Sequence, residues 1–291
     1  MTRVADIPFV KGHATENDFV VLPDLEGRLT LSAERVRWIC DRRRGIGADG
    51  VLRVVRCAND PEFAPFADVA EFFMDYRNAD GSIAEMCGNG ARVFVRYLHA
   101  TGSLTGRTTV VATRGGLVEA HVRGHEAEEI AISMGVATMP DGAPEVSVAL
   151  GERRWDAVPV SVPNPHAVVF VESLDADVES LAQAPVVTPA AAFPDGVNVE
   201  FVERVTPGHV RMRVHERGVG ETRSCGTGAC AVAWVEAGDQ TGSFQVDVPG
   251  GTVWVDIAPD GPLVLRGPAE LVAPRHVETP RASTAELLHT A

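Results

Sequence analysis

Five residues of this chain carry thiols: Cys40, Cys57, Cys87, Cys225 and Cys230. Two of them head closely similar segments. Met86-Cys87-Gly88-Asn89-Gly90-Ala91-Arg92-Val93 parallels Ser224-Cys225-Gly226-Thr227-Gly228-Ala229-Cys230-Ala231. In both, a β-patterned run leads through a polar loop to Cys-Gly-x-Gly and then into a helical stretch. A cysteine at the first turn of a helix meets unpaired N–H groups and the positive end of the dipole, which lowers a thiol pKa from about 8.5 to about 3.5–7.5. The glycines let that turn approach a ligand closely, so the same N–H groups can hold a carboxylate. Two such units facing across a cleft would hold a small carboxylic acid with one sulfur on each side of a carbon. One thiolate would take a proton from one face while one thiol returns a proton to the other. That is racemisation or epimerisation without a cofactor, with the helix ends stabilising the carbanion-like transition state. Cys40, Cys57 and Cys230 read instead as small buried packing residues.

The elements around these cysteines are mostly strands. Val-, Ile- and Phe-rich runs such as Phe19–Leu22, Val51–Val55, Glu71–Tyr76, Val168–Val171, Val197–Val202 and His209–Val214 end in Gly, Pro, Asn or Asp clusters. Helical signals are fewer: Ala33–Arg42 capped by Ser32, Asn89–Thr101, Asp177–Ala184, and Gly226 to about Glu236. The duplicated unit is too widely spaced for a solenoid and suits two related domains. The expected organisation is a domain over residues 1–122 with 268–276 packing back on it. A second domain then spans 123–267, and a loose tail spans 277–291.

The 291 residues suffice for two full cores. Composition is that of an ordinary globular chain, 45% hydrophobic and 23% charged. A net charge of −14 argues against nucleic acid or an anionic membrane surface as partner. The chain begins without a basic-then-apolar leader and contains no run long enough to span a membrane, so reduced thiols in the cytoplasm are expected. Of the 26 cationic residues only Lys11 is lysine, which leaves imine chemistry one candidate. Three further patterns carry nothing. Gly45–Gly50 spells GxGxxG, but a helical stretch precedes it and a strand follows, the reverse of a dinucleotide site. His121 and His125 read as the two sides of a hairpin turn, and Cys225 and Cys230 lack zinc-knuckle spacing, so no metal is expected.

At these motifs the sequence closely resembles the diaminopimelate epimerase family. The matching blocks are Lys11–Phe19, Gly45–Gly50, Asn78-Ala-Asp-Gly-Ser82, Met86–Arg92, Asn164-Pro-His166, Val197-Asn-Val-Glu-Phe201 and His215–Ala229, in the family's order. The resemblance implies an α/β (α+β-like) fold of two pseudo-symmetric domains, each a curved, largely antiparallel or mixed sheet around a central helix. It also implies a homodimer and a cofactor-independent enzyme that interconverts LL- and meso-diaminopimelate. Carried over by motif, Cys87 and Cys225 form the acid–base pair, with Cys225 accepting and Cys87 donating in the LL-to-meso direction. Gly88, Asn89, Gly226 and Thr227 would cradle the reacting carboxylate. Asn17, Asn78, Asn164, Asn198, Glu216 and Arg217 would read the distal amino-acid end, and His166 and Glu216 would tune the thiols. Arg217 offers a fork suited to a carboxylate.

The chain departs from the family pattern at Ala14, where glycine is usual, at Gly50, where many members carry glutamine, and at Pro163. The competing readings are a proline or hydroxyproline racemase, a cysteine hydrolase using His166 as base, and a zinc or thiol module.

Overall fold

The computed structural model of the chain describes residues 6–124, 127–140 and 145–278. His125 and residues 279–291 of the expected tail lie outside the described residues. The first half contains β1 (Asp6–Ala14), β2 (Asn17–Pro23), α1 (Ala33–Cys40), β3 (Gly50–Arg56), β4 (Phe72–Asn78), α2 (Gly88–Ala100), β5 (Thr108–Thr113), β6 (Gly116–Arg123) and β7 (Glu129–Ser133). The second contains β8 (Val146–Leu150), β9 (Arg153–Val162), β10 (Asn164–Val171), α3 (Leu174–Asp177), β11 (Val186–Thr188), β12 (Asn198–Thr206), β13 (His209–Glu216), β14 (Gly220–Thr222), α4 (Gly226–Ala237), β15 (Gly242–Val248), β16 (Gly251–Ile257) and β17 (Val264–Gly267). The chain then returns to the first half as β18 (Glu270–Glu278), which pairs antiparallel with β1.

One hydrogen-bonded ladder runs through both halves. From one end it reads β18-β1-β2-β3-β4-β5-β6-β7, and from the other β8-β9-β10-β12-β13-β15-β16-β17. The two series meet where β7 pairs antiparallel with β17. Parallel pairs fall at equivalent places, β2–β3 with β10–β12 and β4–β5 with β13–β15. The fold is therefore α/β, mostly sheet, and pseudo-two-fold, as the sequence led us to expect. The ladder's symmetry groups β7 with the first half, beyond residue 122, and β7 packs on α2.

Each half wraps its sheet round one helix. Residues Gly88–Val95, Tyr97 and Leu98 of α2 are buried, so the helix is enclosed on nearly all sides and has no solvent stripe. The Ala-rich α4 is enclosed in the same way. Alternation along β2 sends Phe19 and Val21 towards α2, and Val20 and Leu22 towards the outer helix α1. In the second half Val168 and Val202 face α4, while Val169 and Phe201 face the cluster under α3.

Two details differ from the sequence reading. The helix expected over Asp177–Ala184 does not form: a single turn, Leu174–Asp177, stands before it, capped by Ser173, which accepts from Ala176 N at 3.3 Å, and residues 178–184 are not helical. Val277 and Glu278 belong to β18. Pro274 reads as a turn signal, yet β18 pairs only with β1, and an edge strand tolerates a residue without an N–H.

Because Phe94 is fully buried on α2, Phe94→Ala should lower the unfolding free energy by about 3–5 kcal/mol. Urea denaturation followed by circular dichroism measures it; a loss below about 1 kcal/mol would show that α2 is not the packing centre of its half.

Candidate active site

Cys87 and Cys225 are the N-caps of α2 and α4, both with extended backbone at the cap. Each sulfur accepts from the third residue of its helix, Cys87 Sγ from Gly90 N at 3.3 Å and Cys225 Sγ from Gly228 N at 3.4 Å. The two first turns meet glycine to glycine. A Cβ added to Gly226 would stand 3.6 Å from Gly88 Cα and from Asn89 Oδ1. One added to Gly88 would stand 2.9 Å from Met134 Cε. A side chain at either place would press on Met134 or Leu265, which lie under the two helix starts.

Burial changes the acidity expected from the helix ends. Desolvation pushes the Cys87 thiol up to about 11, although N–H groups of Gly90 and Asn89 pull the other way. Desolvation also raises Cys225 well above the ordinary thiol value, and the carboxylates of Glu216 and Glu200 add to it. Four N–H dipoles per helix start do not compensate for removing an anion from water. Both sulfurs are therefore thiols at neutral pH.

The ladder register shows which strand residues occupy equivalent places in the two halves. Phe19 pairs with Gly50 and Gly50 with Asn78; His166 pairs with Asn198, and its neighbour Val199 with His215. The pseudo-two-fold therefore matches Asn17 with Asn164, Phe19 with His166, Gly50 with Asn198, Leu52 with Glu200 and Asn78 with Glu216. Every one of these ten positions sits on the strands that flank α2 or α4.

In the first half Asn17 is fixed by both ends of its amide. Its Nδ2 donates to Asp49 Oδ2 at 2.8 Å, and its Oδ1 accepts from Asn89 Nδ2 at 3.2 Å and lies 3.9 Å from Cys87 Sγ. Arg42 holds Asp49 and Asp18 at 2.8 and 2.6 Å, and Lys11 reaches Asp18 at 2.6 Å and the Gly47 carbonyl. The lone lysine is thus part of the platform beneath Asn17. Asn89 is 2% exposed and its side chain spans the halves, donating to Ser224 O at 3.0 Å. Asn78 donates to Ser82 Oγ at 3.0 Å within its own turn, and it is not brought against either sulfur.

The second half is more acidic. Glu216 is hydrogen-bonded by Thr222 and by Cys225, and burial raises its carboxyl. Thr227 Oγ1 lies 3.5 Å from Cys225 Sγ. His166 is fully buried between Glu200 Oε1 at 2.7 Å and Asn164 Oδ1 at 3.1 Å, so neither ring nitrogen addresses a sulfur. Asn198 accepts from Arg217 N at 3.0 Å, fixing the residue whose guanidinium reaches Asp195 O at 3.1 Å. A cavity of about 360 Å³ opens beside them, lined by Glu85, Asn164, Phe193, Arg217 and neighbouring residues. Neither cysteine lines it, so the sulfurs lie beyond this vestibule. Among the described residues no group of three or more His, Cys, Asp or Glu side chains is placed to hold a metal ion.

The sequence reading passed over two buried charges. Glu200 alternates with Asn198 on an apolar strand, and that polar i, i+2 pair was a usable signal. Arg92 lies inside the Met86–Arg92 motif, where nothing local marks it as buried.

The sequence profile of the diaminopimelate epimerase family matches residues 9–140 and 158–272. A diaminopimelate epimerase of Streptomyces coelicolor is 53% identical over 281 residues, spanning 94% of each chain. One from Mycobacterium leprae is 46% identical over 281 residues, covering 91% of this chain and 94% of its own. The chain belongs to the diaminopimelate epimerase family. Among solved structures it is similar in fold to a Bacillus anthracis phenazine biosynthesis protein of the PhzF family, at TM-score 0.66 and 16% identity over 94% of this chain and 99% of that one. A hydroxyproline epimerase from Agrobacterium vitis, with bound trans-4-hydroxy-L-proline, gives TM-score 0.61 and 15% identity over 95% and 92%.

Two departures from the diaminopimelate epimerase pattern now have physical readings. Ala14 is an ordinary strand residue; the left-handed backbone falls at Thr15 (φ 47°) and Glu16 (φ 61°), so no glycine is needed at 14. A Cβ at Gly50 would stand 2.7 Å from both the Arg77 carbonyl and the Tyr76 ring, so in this member Tyr76 occupies the space a side chain at 50 would enter. Pro163 lines the vestibule next to Asn164.

The halves should respond unequally to equivalent substitutions. A Cβ at Gly228 would lie 2.7 Å from Glu200 Oε1, whereas one at Gly90 meets the flexible end of Leu52 at 3.2 Å. Gly228→Ala should cost about 1–3 kcal/mol by denaturant unfolding and Gly90→Ala less than about 1. Equal costs would contradict the packing described.

Proposed function

We propose that the chain interconverts LL- and meso-diaminopimelate by a two-thiol mechanism at Cys87 and Cys225, without a cofactor. The observation that carries this reading is the glycine-to-glycine approach of two helix starts, each capped by one of these cysteines. The relatives in the comparison bear the name of that activity. In the LL-to-meso direction Cys225, as thiolate, takes the α-proton and becomes a thiol, while Cys87 gives its proton to the opposite face and becomes the thiolate. One C–H bond breaks and one forms, and the reverse reaction restores the pair. N–H groups at Gly88, Asn89, Gly226 and Thr227 bind the reacting carboxylate and the charge that develops behind it. Because both thiols are raised by burial, ionisation is tied to an occupied cleft, where the substrate ammonium supplies a compensating charge. His166 orients Asn164, and Glu216 bears on Cys225. Arg217, Asn164 and the vestibule take the distal amino-acid end, with Asn17, Asn78 and Asn198 completing the contacts. We further propose two domains in a cytoplasmic homodimer, the first running past residue 122 to include β7 and regaining 268–276, the second continuing to 267.

A cysteine hydrolase would need His166 against a sulfur, and its nitrogens are engaged by Glu200 and Asn164 instead. A proline or hydroxyproline racemase shares the fold, but its substrates would leave Arg217 without a distal carboxylate.

Reduced protein should convert LL-diaminopimelate to the meso isomer by chiral chromatography, and Cys87→Ala or Cys225→Ala should lower the rate about 10²–10⁴-fold or more. An inert reduced enzyme, or full activity in either variant, would refute the mechanism. Arg217→Ala should raise KM for diaminopimelate by an amount equivalent to about 1.5–3 kcal/mol. An unchanged KM would remove Arg217 from the distal site.

A further inference from the structure

The pseudo-two-fold is broken in charge. Arg92, five residues into the first unit, corresponds to Cys230 in the second, and Leu52 corresponds to Glu200. Arg92 is fully buried, and its guanidinium donates to Asn89 Oδ1 at 2.5 Å, Thr15 Oγ1 at 3.2 Å and Pro268 O at 3.2 Å. No carboxylate pairs with it among the described residues, and its Nε lacks a partner. Burial brings it down only to about 10, so at neutral pH it remains a cation. The space it fills is reserved: a Cβ at Gly267 would stand 2.4 Å from Arg92 Nη1. A buried cation without a carboxylate partner is costly; it sits on the helix that Cys87 caps, with Cys87 and Cys230 both in its field.

The Cys225 side holds the opposite charge. Glu200 is fully buried, with Oε1 on His166 and Oε2 without a partner. A Cβ at Gly228 would stand 2.7 Å from Glu200 Oε1 and 3.3 Å from Cys225 Sγ, so only a glycine separates carboxylate from sulfur. His166 faces Glu200 as its hydrogen-bond partner, and Cys230 shares the field of Arg92. Glu216 opposes ionisation at both sulfurs, and Tyr76 faces Cys87 as a neutral phenol held far above its usual range by burial.

We propose that Arg92 and Glu200 are positioning residues of opposite charge that polarise the thiol pair, so that Cys87 ionises first and Cys225 keeps its proton. The inference rests on the two-thiol reading and adds which sulfur is loaded as base when the cleft first ionises. Arg92 favours the anion at Cys87 by direct attraction, and Glu200 disfavours it at Cys225 by repulsion across Gly228. An enzyme so polarised is poised for the meso-to-LL direction, in which Cys87 is the base, and LL-to-meso turnover starts from the form in which the proton has passed from Cys225 to Cys87.

The test is the pH profile of iodoacetamide alkylation, read site by site by peptide mass spectrometry. Cys225→Ser protein reports Cys87 alone and Cys87→Ser protein reports Cys225 alone, which removes coupling between them. Access scales a rate at every pH, whereas the pH at which the rate levels off reports ionisation. Cys87 should level off at least about one pH unit below Cys225, with a Cys225 profile still rising counted as agreement. Glu200→Gln should move the Cys225 profile down and leave Cys87 in place. Arg92→Met should move the Cys87 profile up; if that variant does not fold, the Glu200→Gln comparison decides alone. Coincident profiles in the parent proteins, or a Cys225 profile unmoved by Glu200→Gln, would overturn the proposal. Failure of the wild-type enzyme to epimerise diaminopimelate would instead strike the functional reading and leave the profiles standing.

Discussion

Everything about this site depends on two helix N-termini being pressed together through residues that have no side chains. Such ends carry unpaired N–H groups and like-signed dipole ends, so bringing them together is unfavourable unless something negative lies between them. Gly88 and Gly226 permit the approach, and the surrounding network maintains it. Arg92 holds Asn89, Asn89 reaches across to Ser224 O, and Ser224 Oγ meets Thr15 Oγ1 at 2.6 Å. Two facing helix starts of this kind favour a negative group between them, which is the basis of the carboxylate cradle proposed above.

The ladder supplies the stiffness that such a contact needs. A single run of paired strands carries both halves and crosses between them at β7–β17, directly under the glycines through Met134 and Leu265. The return of β18 to β1 ties the end of the second half to the start of the first. Asn17 and Asn164 occupy equivalent strand starts, and each is held from behind: Asn17 by the Asp49–Arg42–Asp18–Lys11 cluster, Asn164 by His166 and Glu200. A symmetric backbone is thus used with asymmetric supports.

Much of this was legible in the residues. The duplicated Cys-Gly-x-Gly units marked the helix starts, because a cap, its glycines and a following apolar helix are local features. Period-two alternation marked most strands in the same way. What escaped depended on distant partners. β1 and β18 carry interruptions, Lys11-Gly12-His13 and Pro274, that become tolerable only once each has the other as neighbour. The acidity of the thiols was misjudged because dipole and capping are local, whereas the burial that outweighs them is a property of the assembled halves. Arg92 and Glu200 look like ordinary charges until the fold buries them.

The central claim is that one sulfur serves each face of the α-carbon. Its most direct test is isotopic: LL-diaminopimelate is incubated with reduced enzyme in D₂O, and the α-deuterium content of product and of unconverted substrate is read at early conversion by mass spectrometry. Two bases of which the donor carries solvent-derived deuterium predict label in the meso product while the remaining LL isomer stays unlabelled. Product that retains the substrate's own hydrogen, or label appearing equally in both isomers, would contradict the account by pointing to one base serving both faces.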